Sequence, residues 1–170
     1  MSDLEKRIDR LESLESLRKL KHSYCKFCDE QYNPEKLGTL FWGDAVWDAG
    51  PAFGKFEGPE AIKGFFREVS ASIVWARHFV VNERIDVEGD TGRGEFQIIQ
   101  PLTVNQEDGT PQAQWLIGQY TETYTRRDGV WKYQTLKADI AFMVPHLDGW
   151  AVESAKIGAE EKKALLEASK

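Results

Sequence analysis

Cysteine is scarce in this sequence. Cys25 and Cys28 are the only two in 170 residues. Their C-x-x-C spacing suggests a redox pair or half of a zinc site. A thioredoxin-type pair opens a helix just after a strand, whereas this one sits late in a helical segment. Zinc needs further ligands, and the three histidines lie far off with no paired spacing. Both cysteines are therefore expected to pack, and neither a metal nor a cofactor is expected. Long apolar runs are missing too, since none approaches the ~18 residues of a bilayer span. The N-terminus is charged and heptad-like, without the apolar stretch of a signal peptide. A cytoplasmic location is the expectation, with no membrane partner. Basic clusters are also absent, and the formal net charge is −6. A surface that tracks phosphates needs an excess of Lys and Arg, so nucleic acid is not an expected partner. No repeat, low-complexity tract or linker marks a second domain. Residues 1–170 are expected to form one, with its core over about 8–147 and a polar helix over about 151–168.

Aromatic residues, by contrast, are plentiful. Six Trp, five Tyr and nine Phe stand in a chain that is 41% hydrophobic and 29% charged. Such a load fills a core, and it also suits a pocket for a flat organic molecule. Apolar residues at Leu4, Ile8, Leu11, Leu14, Leu17 and Leu20 follow the three-and-four spacing of a helix with one buried stripe. Asn33-Pro34 reads as the cap and first position of a short helix. Gly43-Asp44 reads as a turn, Ala45–Asp48 and Lys55–Glu57 as short strands, and Gly50–Gly54 as a loop between them. A helix follows from Gly58-Pro59-Glu60 to about residue 72, with Ile62, Phe65, Phe66 and Val69 on one face. The period then changes to two. Strands are expected over 77–87, 94–104, 113–125 and 130–142, joined by turns that include the Asp128-Gly129 hairpin signal. Helices followed by an antiparallel meander imply an α+β fold, a curved sheet wrapped against the N-terminal helices. A strongly bent sheet of this kind makes a cone that is open at one end.

Continued to its end, the first helical stripe carries Tyr24, Cys28 and Asp29 towards the interior. A buried carboxylate needs a partner, and an imidazole is a natural one. Asp29 beside His78 would fix the ring tautomer, favour the imidazolium, and leave the second ring nitrogen free to take a proton. The competing reading makes Asp29 a helix terminator and His78 an ordinary strand residue.

The helix ending in Tyr24…Asp29, the segments LFWGDAVW (40–47) and FEGPEAI (56–62), and YTRRDGVWKY (124–133) together resemble the SnoaL-like branch of the nuclear transport factor 2-like superfamily. The resemblance extends over about residues 8–147, and the likeness is to scytalone dehydratase, bile-acid 7α-dehydratase and lindane dehydrochlorinase. These are cofactor-free lyases with an Asp–His pair in the cone, and Asp29 and His78 fall at those positions. The resemblance implies that Tyr24 assists a leaving or carbonyl oxygen and that Trp47 is a pocket wall. The alternative for both is core packing. The dehydrochlorinase has a lysine where this chain has Tyr24 and an arginine where it has Leu136. Loss of a neutral oxygen species therefore fits better than loss of halide. Lys137 is next to that second position, but strand alternation turns it to the other face.

The expected activity is a lyase acting on a small hydroxylated aromatic or alicyclic molecule. His78 is the base, Asp29 its partner and Tyr24 the acid. Phe53, Trp75, Tyr120 and Leu136 join Trp47 as expected substrate contacts. Dehydration and a retro-aldol-like loss of formaldehyde from a lignin-derived aromatic diol are both compatible. An isomerase of the ketosteroid type, using Asp139 and Tyr120, is a second reading. A non-catalytic binding module is a third. His22, Arg126 and Arg127 read as surface residues and His146 as a loop residue. By the resemblance the chain is a homo-oligomer, with a trimer ahead of a dimer.

Overall fold

Helix α1 runs from Asp3 to Asp29 and starts with a capping box in which Ser2 and Glu5 satisfy each other's backbone donors. The computed structural model describes residues 2–168. The buried stripe of α1 is Ser13, Leu17, Leu20, Lys21, Tyr24, Cys25 and Cys28. Leu4, Ile8 and Leu11 are exposed. The heptad pattern therefore overstates the buried length. After α1 come α2 (Pro34–Gly38), β1 (Phe41–Asp48), the single turn α3 (Gly50–Phe53), β2 (Lys55–Glu57) and α4 (Pro59–Ser72). Asn33 caps α2 by accepting from Lys36 N at 3.1 Å, the role its place before Pro34 suggests. Gly43-Asp44 is no turn, because β1 runs through it with a register shift between Phe41 and Val46.

The remaining strands are β3 (Ile73–Ala76), β4 (Phe79–Glu88), β5 (Thr91–Asn105), β6 (Pro111–Arg127) and β7 (Val130–Pro145), and helix α5 (Ala151–Ala168) ends the described chain. The sheet order is β2-β1-β7-β6-β5-β3, with β4 also paired to β5. All pairs are antiparallel except β1 with β7. The expected α+β fold is the one observed, a bent and mostly antiparallel sheet closed on its inner side by α1, α2 and α4. Asp128 and Gly129 both have positive φ, as the two-residue hairpin turn between β6 and β7 requires. Arg126 and Arg127 beside it are not free in solvent. Arg126 pairs with Asp9 on α1 at 2.6 Å and Asp90 at 2.7 Å, and Arg127 pairs with Asp44 at 3.0 Å. These contacts pin the helix to the hairpin end of the sheet.

One break in the sheet matters for everything that follows. The strand expected over 77–87 begins only at Phe79, as β4, and Arg77 and His78 lie in a break between it and the unexpected short strand β3. Ala76 faces Leu102 and Phe79 faces Ile99, so the register is unbroken and His78 lies across from Gln100. Arg77 N still donates to Pro101 O at 3.1 Å. Pro101 has no N–H to return, which interrupts the ladder there. The N–H of His78 points away from β5, because opposed residues in an antiparallel pair alternate between bonded and unbonded. It is therefore open to a partner outside the sheet.

Candidate active site

That partner is Asp29, the last residue of α1. Its Oδ1 accepts from the His78 backbone N–H at 3.0 Å and meets His78 Nδ1 at 2.8 Å. The helix end is fixed from several sides. Gln31 and Tyr32 have positive φ, and Tyr32 N and Asn33 N return to Cys28 O and Phe27 O. Arg77 Nη1 donates to the Asp29 carbonyl at 3.3 Å. An ionised carboxylate can only accept, so Nδ1 carries the ring proton and Nε2 is the bare nitrogen.

The pair is unequally buried. The His78 side chain is 4% exposed and that of Asp29 24% exposed, so the imidazole and not the acid is the sequestered member. Burial depresses the basicity of His78, and the hydrogen bond and charge of Asp29 offset only part of this. Asp29 does favour the imidazolium, as expected from the sequence, but burial, which the sequence does not show, outweighs it. At neutral pH His78 is a neutral ring with a free acceptor nitrogen.

His78 is part of the wall of an inner cavity with about 70 Å³ of free space. Tyr24, Tyr32, Gln100 and Tyr120 supply the other polar lining groups, and Trp47 and Phe53 belong to the aromatic wall. Tyr24 lies in an aromatic nest, with edge contacts to Phe41, Phe66, Tyr120 and Tyr133 at centroid distances from 5.8 to 6.5 Å. Its hydroxyl accepts from Trp47 Nε1 at 3.0 Å, which leaves its own hydrogen to donate. Burial drives the Tyr24 phenol well above the ordinary range, so it stays protonated. Tyr32 packs edge-on to His78 at 5.8 Å, and its hydroxyl accepts from Gln100 Nε2 at 3.0 Å.

Of the residues expected at the site, Tyr24, Trp47, Phe53, His78 and Tyr120 share this cavity, and Asp29 holds His78 from behind. Two do not belong to it. Trp75 is 42% exposed, because in β3 it is Ala76 that is buried, and Arg77 lies 5.1 Å over the Trp75 ring. Leu136 is fully buried deeper in the core, where it opposes Trp47 in the β1–β7 pairing. Asp139 is on the outer face with Lys137, at 2.7 Å, and cannot serve the cavity as a base. His22 is exposed, and the exposed His146 accepts from Trp115 Nε1 at 2.9 Å. Cys25 and Cys28 are buried, and burial raises both thiols. Among the described residues no three His, Cys, Asp or Glu side chains converge on a possible metal position. No helix among them is long and apolar enough to cross a membrane.

Sequence reasoning missed Tyr32 and Gln100. Gln100 carried one usable signal, its place directly before a proline in an otherwise regular strand. A buried ion pair was also missed. Lys21 Nζ meets Glu122 at 2.5 Å with both side chains sealed from solvent, and Tyr124 donates a short hydrogen bond to the same carboxylate. Lys21 Nζ also sits 3.3 Å from the centroid of the Tyr120 ring.

Comparison with known proteins places the chain in a family. The chain is 27% identical over 151 residues to the gamma-hexachlorocyclohexane dehydrochlorinase of Sphingobium indicum, a span that covers 85% of this chain and 88% of that one. A crystal structure of a hexachlorocyclohexane dehydrochlorinase of type 2 superposes with a TM-score of 0.73 at 25% identity, over 85% of this chain and 93% of the other. A candidate scytalone dehydratase from Novosphingobium aromaticivorans shares the fold with a TM-score of 0.70 at 23% identity, over 80% and 89%. The profile of the SnoaL-like domain matches residues 9–137, most of the sheet and all of the cavity's polar groups, and the chain belongs to that family.

Proposed function

We propose that this protein is a cofactor-independent lyase in which His78 is the general base, Asp29 sets its tautomer and Tyr24 is the acid. One observation carries the reading: His78, its basicity lowered by burial, is gripped at Nδ1 by Asp29 and forms part of the wall of a cavity whose other polar groups are chiefly hydroxyls and an amide. In a dehydration, Nε2 takes a proton from carbon, the electron pair becomes a C=C bond, and the departing hydroxyl leaves as water with a proton from Tyr24. In a formaldehyde loss, Nε2 takes the proton of a primary hydroxyl, its C–C bond breaks, and the released electron pair expels a neighbouring hydroxyl in the same way. The substrate is a small hydroxylated aromatic or alicyclic compound.

The comparisons support the lyase class, since the curated relatives eliminate from a cyclohexane ring by name. No Lys or Arg contributes to the wall of the cavity among the described residues, and this favours a neutral leaving group over halide. The isomerase reading loses its carboxylate with Asp139 on the outer face. His78→Ala separates enzyme from binding module. Turnover falls by ~10²–10⁴, while calorimetric affinity for the same ligand changes little. Unchanged turnover removes the mechanism. We further propose a homo-oligomer, because Trp75, Phe79 and Val81 on the edge strands and Ile99 beside them leave a run of exposed apolar side chains. Light scattering after gel filtration should give a mass above that of one chain.

A further inference from the structure

The inner cavity is small. Its ~70 Å³ lies far below the roughly 300–1,000 Å³ usual for a pocket that encloses a ligand. A second cleft of about 340 Å³ opens beside it, and the two share Phe53, Phe65, Val69, Ile73 and Leu116. All five shared residues are apolar, whereas Tyr24, Tyr32, His78, Gln100 and Tyr120 belong to the inner cavity alone. The cleft continues outward between Phe56, Leu102 and Met143, with Ser72 at its exposed edge. Taken together, the two volumes fall inside the usual range for a ligand pocket. The inner end is thus lined by hydroxyls and imidazole and the stretch beyond it by aliphatic and phenyl groups, with the exposed Glu68 and Ser72 returning polar groups at the outer rim.

We infer that the substrate has two parts: an oxygenated head that reacts beside His78, and an apolar, ring-sized tail that occupies the cleft formed by Phe53, Phe56, Phe65, Leu102, Leu116 and Met143. This rests on the lyase reading for which end reacts, but the cleft is tested by affinity and not by turnover. The probes are 1-phenylethanol, which has one ring, and 1,2-diphenylethanol, which adds a second. Calorimetric titration should find the two-ring alcohol tighter by about tenfold or more, since burying a further phenyl outweighs the cost of ordering it. Ser72→Trp, which places an indole in the cleft from an exposed position, should reduce that ratio below about threefold. Met143→Trp repeats the test from the opposite wall in case the first variant folds poorly. The ratio of the two affinities is the readout, so a general loss of folding does not imitate the result. Equal affinities, binding of neither alcohol, or a ratio untouched by both variants overturns the inference. His78→Ala keeps the two claims apart, because it removes turnover and leaves the ratio in place if both hold. Loss of turnover without a ratio sinks the tail cleft alone, and a ratio without loss of turnover sinks the base alone.

Discussion

Two hydrogen-bonded pairs, each with one carboxylate, hang from the same helix. Lys21–Glu122 and His78–Asp29 both join α1 to the sheet, eight residues apart along the helix. In the first, both side chains are sealed from water. In the second, the carboxylate is 24% exposed and the imidazole forms part of a cavity wall. The sealed pair can shape its surroundings but has no route to a substrate. The half-open pair has a fixed tautomer, a depressed basicity and a free nitrogen. Burial and charge alone do not identify a reactive group, whereas burial with access does.

The comparison can be broken most sharply at the sealed pair. Lys21→Met leaves Glu122 buried without its cation and should cost roughly 3–5 kcal/mol of stability in denaturant titration. The double variant Lys21→Met with Glu122→Leu should recover most of that loss. A small effect of the single change would mean that Glu122 reaches water and that the two pairs are less different than the structure implies. By contrast, His78→Ala should change stability far less than it changes turnover, because the partly exposed Asp29 can be rehydrated.

The next effect in size is pH dependence. The native pKa of His78 lies below its unfolded value, so between the two the unfolded chain holds more protons. The contribution of this group to stability is present above the ordinary imidazole range and is lost as pH falls through it. Activity should follow the same direction, holding through neutral pH and declining below about 6.5, the ordinary imidazole value. A decline that begins above that value contradicts the assigned burial effect. The smallest effect expected is that of Trp47→Phe. It removes the donor to the Tyr24 hydroxyl and should cost about 0.5–1.5 kcal/mol in thermal unfolding, with a modest fall in turnover.

Much of this was legible in the sequence, for identifiable reasons. Local chemistry gave the Asn33-Pro34 cap and the Asp128-Gly129 hairpin, and change of period gave the order of helices before sheet. The resemblance gave Tyr24, Asp29 and His78 as a set. What stayed hidden depended on long-range geometry. A lysine at position 21 reads as helix surface until Glu122, a hundred residues on, is folded against it. Trp75 and Leu136 each fail for want of a single fact, respectively the face of an edge strand and the depth along an inner one. The sign of the His78 shift could not be read from its neighbour alone, because burial outweighs the carboxylate.

The central claim is a neutral His78 with its proton on Nδ1 and Nε2 bare. Nitrogen-15 NMR of the labelled imidazole, assigned by comparison with His78→Ala, observes this directly. The account predicts an Nδ1–H tautomer at neutral pH, with protonation setting in only below the ordinary imidazole range. An Nε2–H tautomer, or an imidazolium at neutral pH, would contradict it.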